Sequence, residues 1–122
     1  MKVICISSSM KYKEFIRETV KKFESIGIKA LFPNLDGYDK NKLNTETMKM
    51  LCQDHFHAID KAEALYVINP DSYIGTLVTI EIGYTLGKSK PVYYTRKTET
   101  VELDALSQDV IPMNSIERFC YL

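Results

Sequence analysis

Apolar residues in this chain fall into short runs and longer stretches spaced at three and four positions, and the two patterns alternate. Val3-Ile4-Cys5-Ile6, Ile28 to Phe32, Ala64-Leu65-Tyr66-Val67-Ile68 and Pro91-Val92-Tyr93-Tyr94 read as strands. Runs with few polar positions belong to sheets covered on both faces, which are parallel sheets. Between the runs, Tyr12 to Ser25 has helical spacing, with Phe15, Ile16, Val20 and Phe23 inward and Lys13, Arg17, Lys21 and Lys22 outward. Asn44 or Thr45 caps a second helix running to about Ala62, whose inward stripe is Met48, Leu51, His55, Ile59 and Ala62. Gly75 to Leu86 forms a third helix, ended by Gly87. Val110-Ile111 is a short fifth strand, and Ser115 caps a last helical turn.

Strands alternating with helices imply right-handed crossovers and a doubly wound sheet. Ligands of such sheets lie beyond the carboxyl ends of the strands, where the strand order reverses. That rule selects three segments: Ser7 to Lys11, the long loop Pro33 to Leu43, and Asn69 to Gly75.

Composition narrows the partners. At 122 residues the chain suits one domain over 1–122, and its 45% hydrophobic and 26% charged residues are ordinary for a globular protein. Sixteen basic side chains balance sixteen acidic ones, so no electrostatic case exists for a nucleic acid polymer or an anionic membrane. The first apolar run is too short for a signal peptide or a membrane span. Cys5, Cys52 and Cys120 lack metal or redox spacing and read as reduced thiols of a cytoplasmic protein.

Glu81 is the only charged residue between Ser72 and Gly87, among Ile74, Leu77, Val78, Ile80, Ile82, Tyr84 and Leu86. A helix apolar on nearly every side is expected to be sandwiched, which places this carboxylate away from water. Buried carboxylates are paired or used. Gly83, costly inside a helix, implies close packing against a backbone or a ligand. Three readings of Glu81 are open: a reacting group near the start of a helix at the ligand edge, a structural carboxylate paired with a lysine or with backbone amides, and a carboxylate exposed on a narrow polar strip.

Ser7, Ser8 and Ser9, with Met10 and Lys11, lie between the first strand and helix; they are candidates for holding a phosphate and equally for capping. Neither GxGxxG nor GxxxxGK[ST] is present, so dinucleotide and P-loop sites find no support. His55 stands eight residues before Glu63, about 12 Å up the second helix. A five-residue strand rises roughly 16 Å, so His55 is within reach of the upper sheet, and its other reading is a satisfied core histidine. His55 and His57 diverge on a helix, which disfavours a metal, and Asp54 is a surface residue or a partner that orients His55. Asp71, Ser72 and Tyr73 supply turn chemistry and are candidate sugar or base contacts.

Asn69-Pro70-Asp71-Ser72-Tyr73-Ile74-Gly75, Glu81-Ile82-Gly83-Tyr84 and Gly87-Lys88-x-Lys90-Pro91-Val92 resemble the nucleoside 2-deoxyribosyltransferase superfamily, which includes related nucleotide N-hydrolases. His55-x-x-x-Ile59-x-x-Ala62-Glu63 does so too, and the likeness runs from Val3 to Val92. The resemblance implies a flavodoxin-like, Rossmann-like fold: a five-stranded parallel sheet in three α-β-α layers. It implies a homo-oligomer acting on a nucleoside or nucleotide, with no cofactor and no metal. Glu81 would be the nucleophile attacking the anomeric carbon, through a covalent glycosyl-enzyme as in retaining glycoside hydrolysis. His55 or Asp54 would move protons at the base. Ser7, Ser8, Ser9 and Met10 would hold a 5′-phosphate, and Asp71, Ser72, Tyr73, Gly75 and Tyr84 would meet the substrate.

The family's transferases carry an aspartate where this chain has Gly75, and His55 stands where their helix-two aspartate aligns. Asn114 is the candidate for an asparagine lent by a neighbouring subunit. The alternative function is a nucleotide-binding or sensing protein that uses the same pocket without turnover.

Overall fold

The computed structural model describes residues 1–32 and 44–122, so the loop expected over Pro33–Leu43 lies outside the described residues. Five strands, β1 (Val3–Ser8), β2 (Lys29–Leu31), β3 (Ala64–Ile68), β4 (Val92–Tyr94) and β5 (Asp109–Val110), form one sheet in the order β2-β1-β3-β4-β5. Every neighbouring pair is parallel. Helices α1 (Lys13–Ser25), α2 (Thr45–Lys61), α3 (Thr76–Gly87) and α4 (Val101–Asp104) connect them. This is the flavodoxin-like three-layer fold.

Side chains alternate across a strand, so each strand serves both layers. On one face Ile4, Ile6, Tyr66, Ile68 and Tyr93 pack with Ile16 and Phe23 of α1 and with Phe119. On the other face Cys5, Leu65, Val67, Val92 and Tyr94 pack with Ala58 and Ile59 of α2 and with Val78 and Ile82 of α3. That period places Ser7 with Cys5, on the α2/α3 side.

Several boundaries differ from expectation for identifiable reasons. β1 continues through Ser7 and Ser8, which pair with Val67 and Ile68. Their hydroxyls find partners on α3 and β3, so the strand need not end at Ile6. A 3-10 turn, Met10–Tyr12, precedes α1. The buried stripe of α1 is Ile16, Thr19 and Phe23, and Phe15, expected inward, is 44% exposed. Asn44 caps α2 by accepting from the Thr47 amide at 2.8 Å. β5 starts one residue early, with the Ile111 amide already donating to Tyr94. Met113–Tyr121 is a run of 3-10 turns kinked at Ser115, rather than one turn capped there.

Helix α3 departs most. Among the described residues it is covered on one side: Thr76, Thr79, Ile80, Gly83 and Leu86 are exposed, and Ile80 is 47% accessible. No described residue lies within 4 Å of where a Gly83 Cβ would stand, so the described part of this chain does not supply the close packing expected there.

The connection after β3 is held to the connection after β4 by Asn69, which is fully buried. Its Nδ2 donates to Arg96 O at 2.8 Å, and its Oδ1 accepts from Thr95 Oγ1 at 2.7 Å and from the Arg96 amide. Its amide donates to Thr95 Oγ1 at 3.0 Å. Asn69→Ala leaves buried groups on the facing loop unpaired, each costing about 1–3 kcal/mol. Denaturant unfolding should therefore show a loss of roughly 2–4 kcal/mol; a loss below about 0.5 kcal/mol, the size of an ordinary surface substitution, would contradict this role.

Candidate active site

Glu81 sits on the second turn of α3, on the face turned toward the sheet, and is 1% exposed. Its Oε2 accepts the hydroxyl proton of Ser7, which is itself fully buried. Nδ1 of His55 lies 3.2 Å from Oε1. That contact is not aligned as a hydrogen bond, so Nδ1 is the one buried side-chain nitrogen or oxygen without such a partner among the described residues. Phe32 holds the imidazole edge-on, with ring centroids 5.5 Å apart at 89°. Three elements thus converge on one carboxylate: β1 from below, α2 through His55, and α3 itself.

The carboxylate and the imidazole border a cavity of about 420 Å³. Ser8, Ser9, Met10, Lys11 and Lys13 line it from the end of β1 and the start of α1, and Phe32, Met48, Leu51 and Leu77 give it an apolar wall. The volume falls in the range of small-molecule sites, about 300–1,000 Å³. Among its described lining residues Glu81 is the only carboxylate, and Lys11 and Lys13 are the lysines. The site lies at the β1/β3 boundary, where the order of the strands reverses, as the rule for open parallel sheets requires.

The electrostatics set two buried or part-buried thiols aside as nucleophiles. Burial first, and the negative charge of Glu81 second, push the thiols of Cys5 and Cys52 above their ordinary range. Both remain protonated at neutral pH and are poor nucleophiles.

The structure brings Ser7, Ser8, Ser9, Met10, His55 and Glu81 together and sets the other anticipated residues apart. Asp54 lines a separate, more open depression of about 560 Å³, with His57, Ala58 and Lys61. One helical step of about 100° separates it from His55, and Phe32 lines both depressions. Asp71, Ser72 and Tyr73 line a small cleft of about 210 Å³ with Glu99, Thr100 and Leu103. Gly75 precedes α3, beside the Tyr73 ring. Tyr84 stacks on Phe56 at 4.2 Å and donates to Asp60 at 2.8 Å, tying α3 to α2. Asn114 lies in the C-terminal turns. Lys13, Phe32 and Leu77 were not anticipated as site residues. Met48 and Leu51 were visible only as the stripe shared with His55.

No family model matches the chain, and no curated protein matches it in sequence. Solved structures do match. The 2-deoxyribosyltransferase of the psychrotolerant bacterium Bacillus psychrosaccharolyticus superposes with a TM-score of 0.69 at 16% identity, covering 94% of this chain and 90% of that one. A conserved protein from Enterococcus faecalis V583 superposes with a TM-score of 0.65 at 16% identity, covering 98% and 99%. At such identity the likeness shows a shared fold. Among the described residues, no helix is long and apolar enough to cross a membrane, and no three His, Cys, Asp or Glu side chains cluster as metal ligands.

One ion pair ties the rim of the cavity to the neighbouring cleft. Lys11 Nζ lies 3.1 Å from Asp71 Oδ2 and within 5.5 Å of the Tyr12 and Tyr73 ring centroids. The Tyr12 hydroxyl first, then Lys11 and the Tyr73 amide, hold the Asp71 carboxyl down at about 2. A carboxyl with a depressed folded-state value stabilises the fold above its unfolded value of about 3.9, and that contribution is lost as pH falls through about 2. Carboxyl ¹³C titration should place the Asp71 midpoint near 2, and Tyr12→Phe should move it toward 4; a wild-type midpoint near 4 would contradict this tie.

Proposed function

We propose that this protein cleaves or exchanges the N-glycosidic bond of a nucleoside 5′-monophosphate or nucleoside, with Glu81 as nucleophile. The observation that carries the reading is a carboxylate withdrawn from water, clamped by a serine, and bordering a cavity of ligand size. A carboxylate kept there only for structure needs no cavity beside it.

An oxygen of Glu81 attacks the anomeric carbon as the bond to the base breaks. The leaving nitrogen takes a proton from His55, the ionisable neighbour on the same cavity wall. A glycosyl ester on Glu81 results. Water or a second base then attacks the same carbon, its proton passes to His55, and the Glu81 carboxylate is released. Two displacements retain configuration. The apolar wall of Phe32, Met48, Leu51 and Leu77 suits a planar base. Lys11 and Lys13, which line the same cavity, suit a phosphate and favour the monophosphate over the bare nucleoside. The likeness to a 2-deoxyribosyltransferase supports a deoxyribosyl group as the part transferred.

The second reading, a binding protein without turnover, draws on Gly75 and His55 standing where the transferases of the resembled family carry aspartates. Incubation with a panel of nucleosides and 5′-monophosphates, with and without an acceptor base, separates the two. Base should appear on chromatography with wild-type protein, fall at least about 10³-fold with Glu81→Gln, and fall about 10²–10⁴-fold with His55→Gln. Saturable binding with no base released by the wild type would leave only the second reading.

A further inference from the structure

A serine hydroxyl has one proton to donate, and the three serines at the end of β1 dispose of theirs differently. Ser7 commits its proton to Oε2 of Glu81. Ser8 commits its proton to the main-chain oxygen of Ile68, at 2.8 Å. Ser9 accepts from the Lys11 amide at 3.5 Å, a contact that uses a lone pair and leaves the proton for another acceptor. Phosphate and sugar oxygens are recognised by donors. Of the triplet, Ser9 is the one equipped to meet them.

Burial separates the serines in the same way. Ser8 and Ser9 border the cavity, whereas Ser7 does not and is fully buried. Strand alternation turns Ser7 toward α2 and α3, under the carboxylate rather than beside a ligand. A buried hydroxyl in a strand is costly unless paired, and its hydrogen-bond partner is Glu81.

We propose that Ser7 is a positioning residue: it holds Oε2 of Glu81 so that Oε1, on the His55 side, is the oxygen presented to the anomeric carbon, while ligand recognition by the triplet falls to Ser9. The proposal rests on Glu81 being the nucleophile. A freely rotating carboxylate would offer either oxygen at variable distance, whereas attack requires a reacting atom held at about 3–3.5 Å. The hydrogen bond to Ser7 removes that freedom.

Steady-state kinetics on deoxynucleoside 5′-monophosphates test it with Ser7→Ala, Ser7→Cys and Ser9→Ala. Ser7→Ala should lower kcat about 10–100-fold with KM changed less than about twofold. Ser7→Cys, which keeps a weak donor, should fall between. Ser9→Ala should act chiefly on KM, raising it for monophosphates by a larger factor than any fall in kcat. Infrared difference spectra supply a readout independent of turnover. The carboxylate band lost in Glu81→Gln should shift in Ser7→Ala, and thermal melts report whether each variant is folded. If Ser7→Ala does not fold, Ser7→Cys carries both measurements. An active wild type whose folded Ser7 variants keep their kcat, raise KM as Ser9→Ala does, or show an unshifted band would overturn the role of Ser7 alone. A wild type that releases no base would instead bring down the Glu81 reading and this role with it.

Discussion

A carboxylate taken out of water must be met by donors, and in this molecule the demand falls on Glu81. One oxygen takes the proton of Ser7, and the other faces His55 at 3.2 Å. Meeting that demand draws β1, α2 and α3 to one point. Removing a single donor from a buried carboxylate costs more than an ordinary hydrogen bond, because the charge is then left poorly compensated. The arrangement is tolerable because the same three elements also bury the apolar layer of Cys5, Ala58, Ile59, Val78 and Ile82 around it. Packing keeps Ser7 in place, and its hydrogen bond makes the burial of the carboxylate bearable.

The sheet sets the geometry of this meeting. Parallel strands send every connection back over a face, so α2 and α3 lie side by side on the layer opposite α1. Alternation along β1 then decides which serine faces them. Ile4 and Ile6 serve the α1 layer, Cys5 and Ser7 the other, and the register Ser7 to Val67 keeps Ser7 within the sheet rather than in the loop above it. Beyond it the chain leaves the sheet through Ser9 and Met10 and opens the cavity mouth. Ser7 and Ser9, two residues apart, thereby stand on opposite sides of the boundary between scaffold and site.

Much of this was legible in the sequence, and the failures have physical causes. The alternation of apolar runs with helical stripes gave the layers, because strands covered on both faces leave few polar positions. Glu81 stood out as a lone charge in an apolar helix, and the helical rise put His55 at the right height. The position of Ser7 was not legible: serine ends many strands, and only its pairing with β3 and its bond to Glu81 show that this strand continues. Asp71, Ser72 and Tyr73 were traced to the correct edge of the sheet but open on a different cleft. Edge and side are separate questions, and turn chemistry answers only the first. Helix α4, four residues long, is too short to display a period. The apolar outer strip of α3 misled in a simpler way, since an uncharged sequence does not distinguish a covered helix from one with a bare apolar face.

A glycosyl ester on Glu81 would leave its mark on the protein itself. Protein mixed with a deoxynucleoside 5′-monophosphate, quenched in acid and digested should yield a peptide spanning Glu81 that is heavier by one deoxyribosyl phosphate, with the ester on that side chain. Base released with no adduct on any peptide, or an adduct on a residue other than Glu81, would contradict the account.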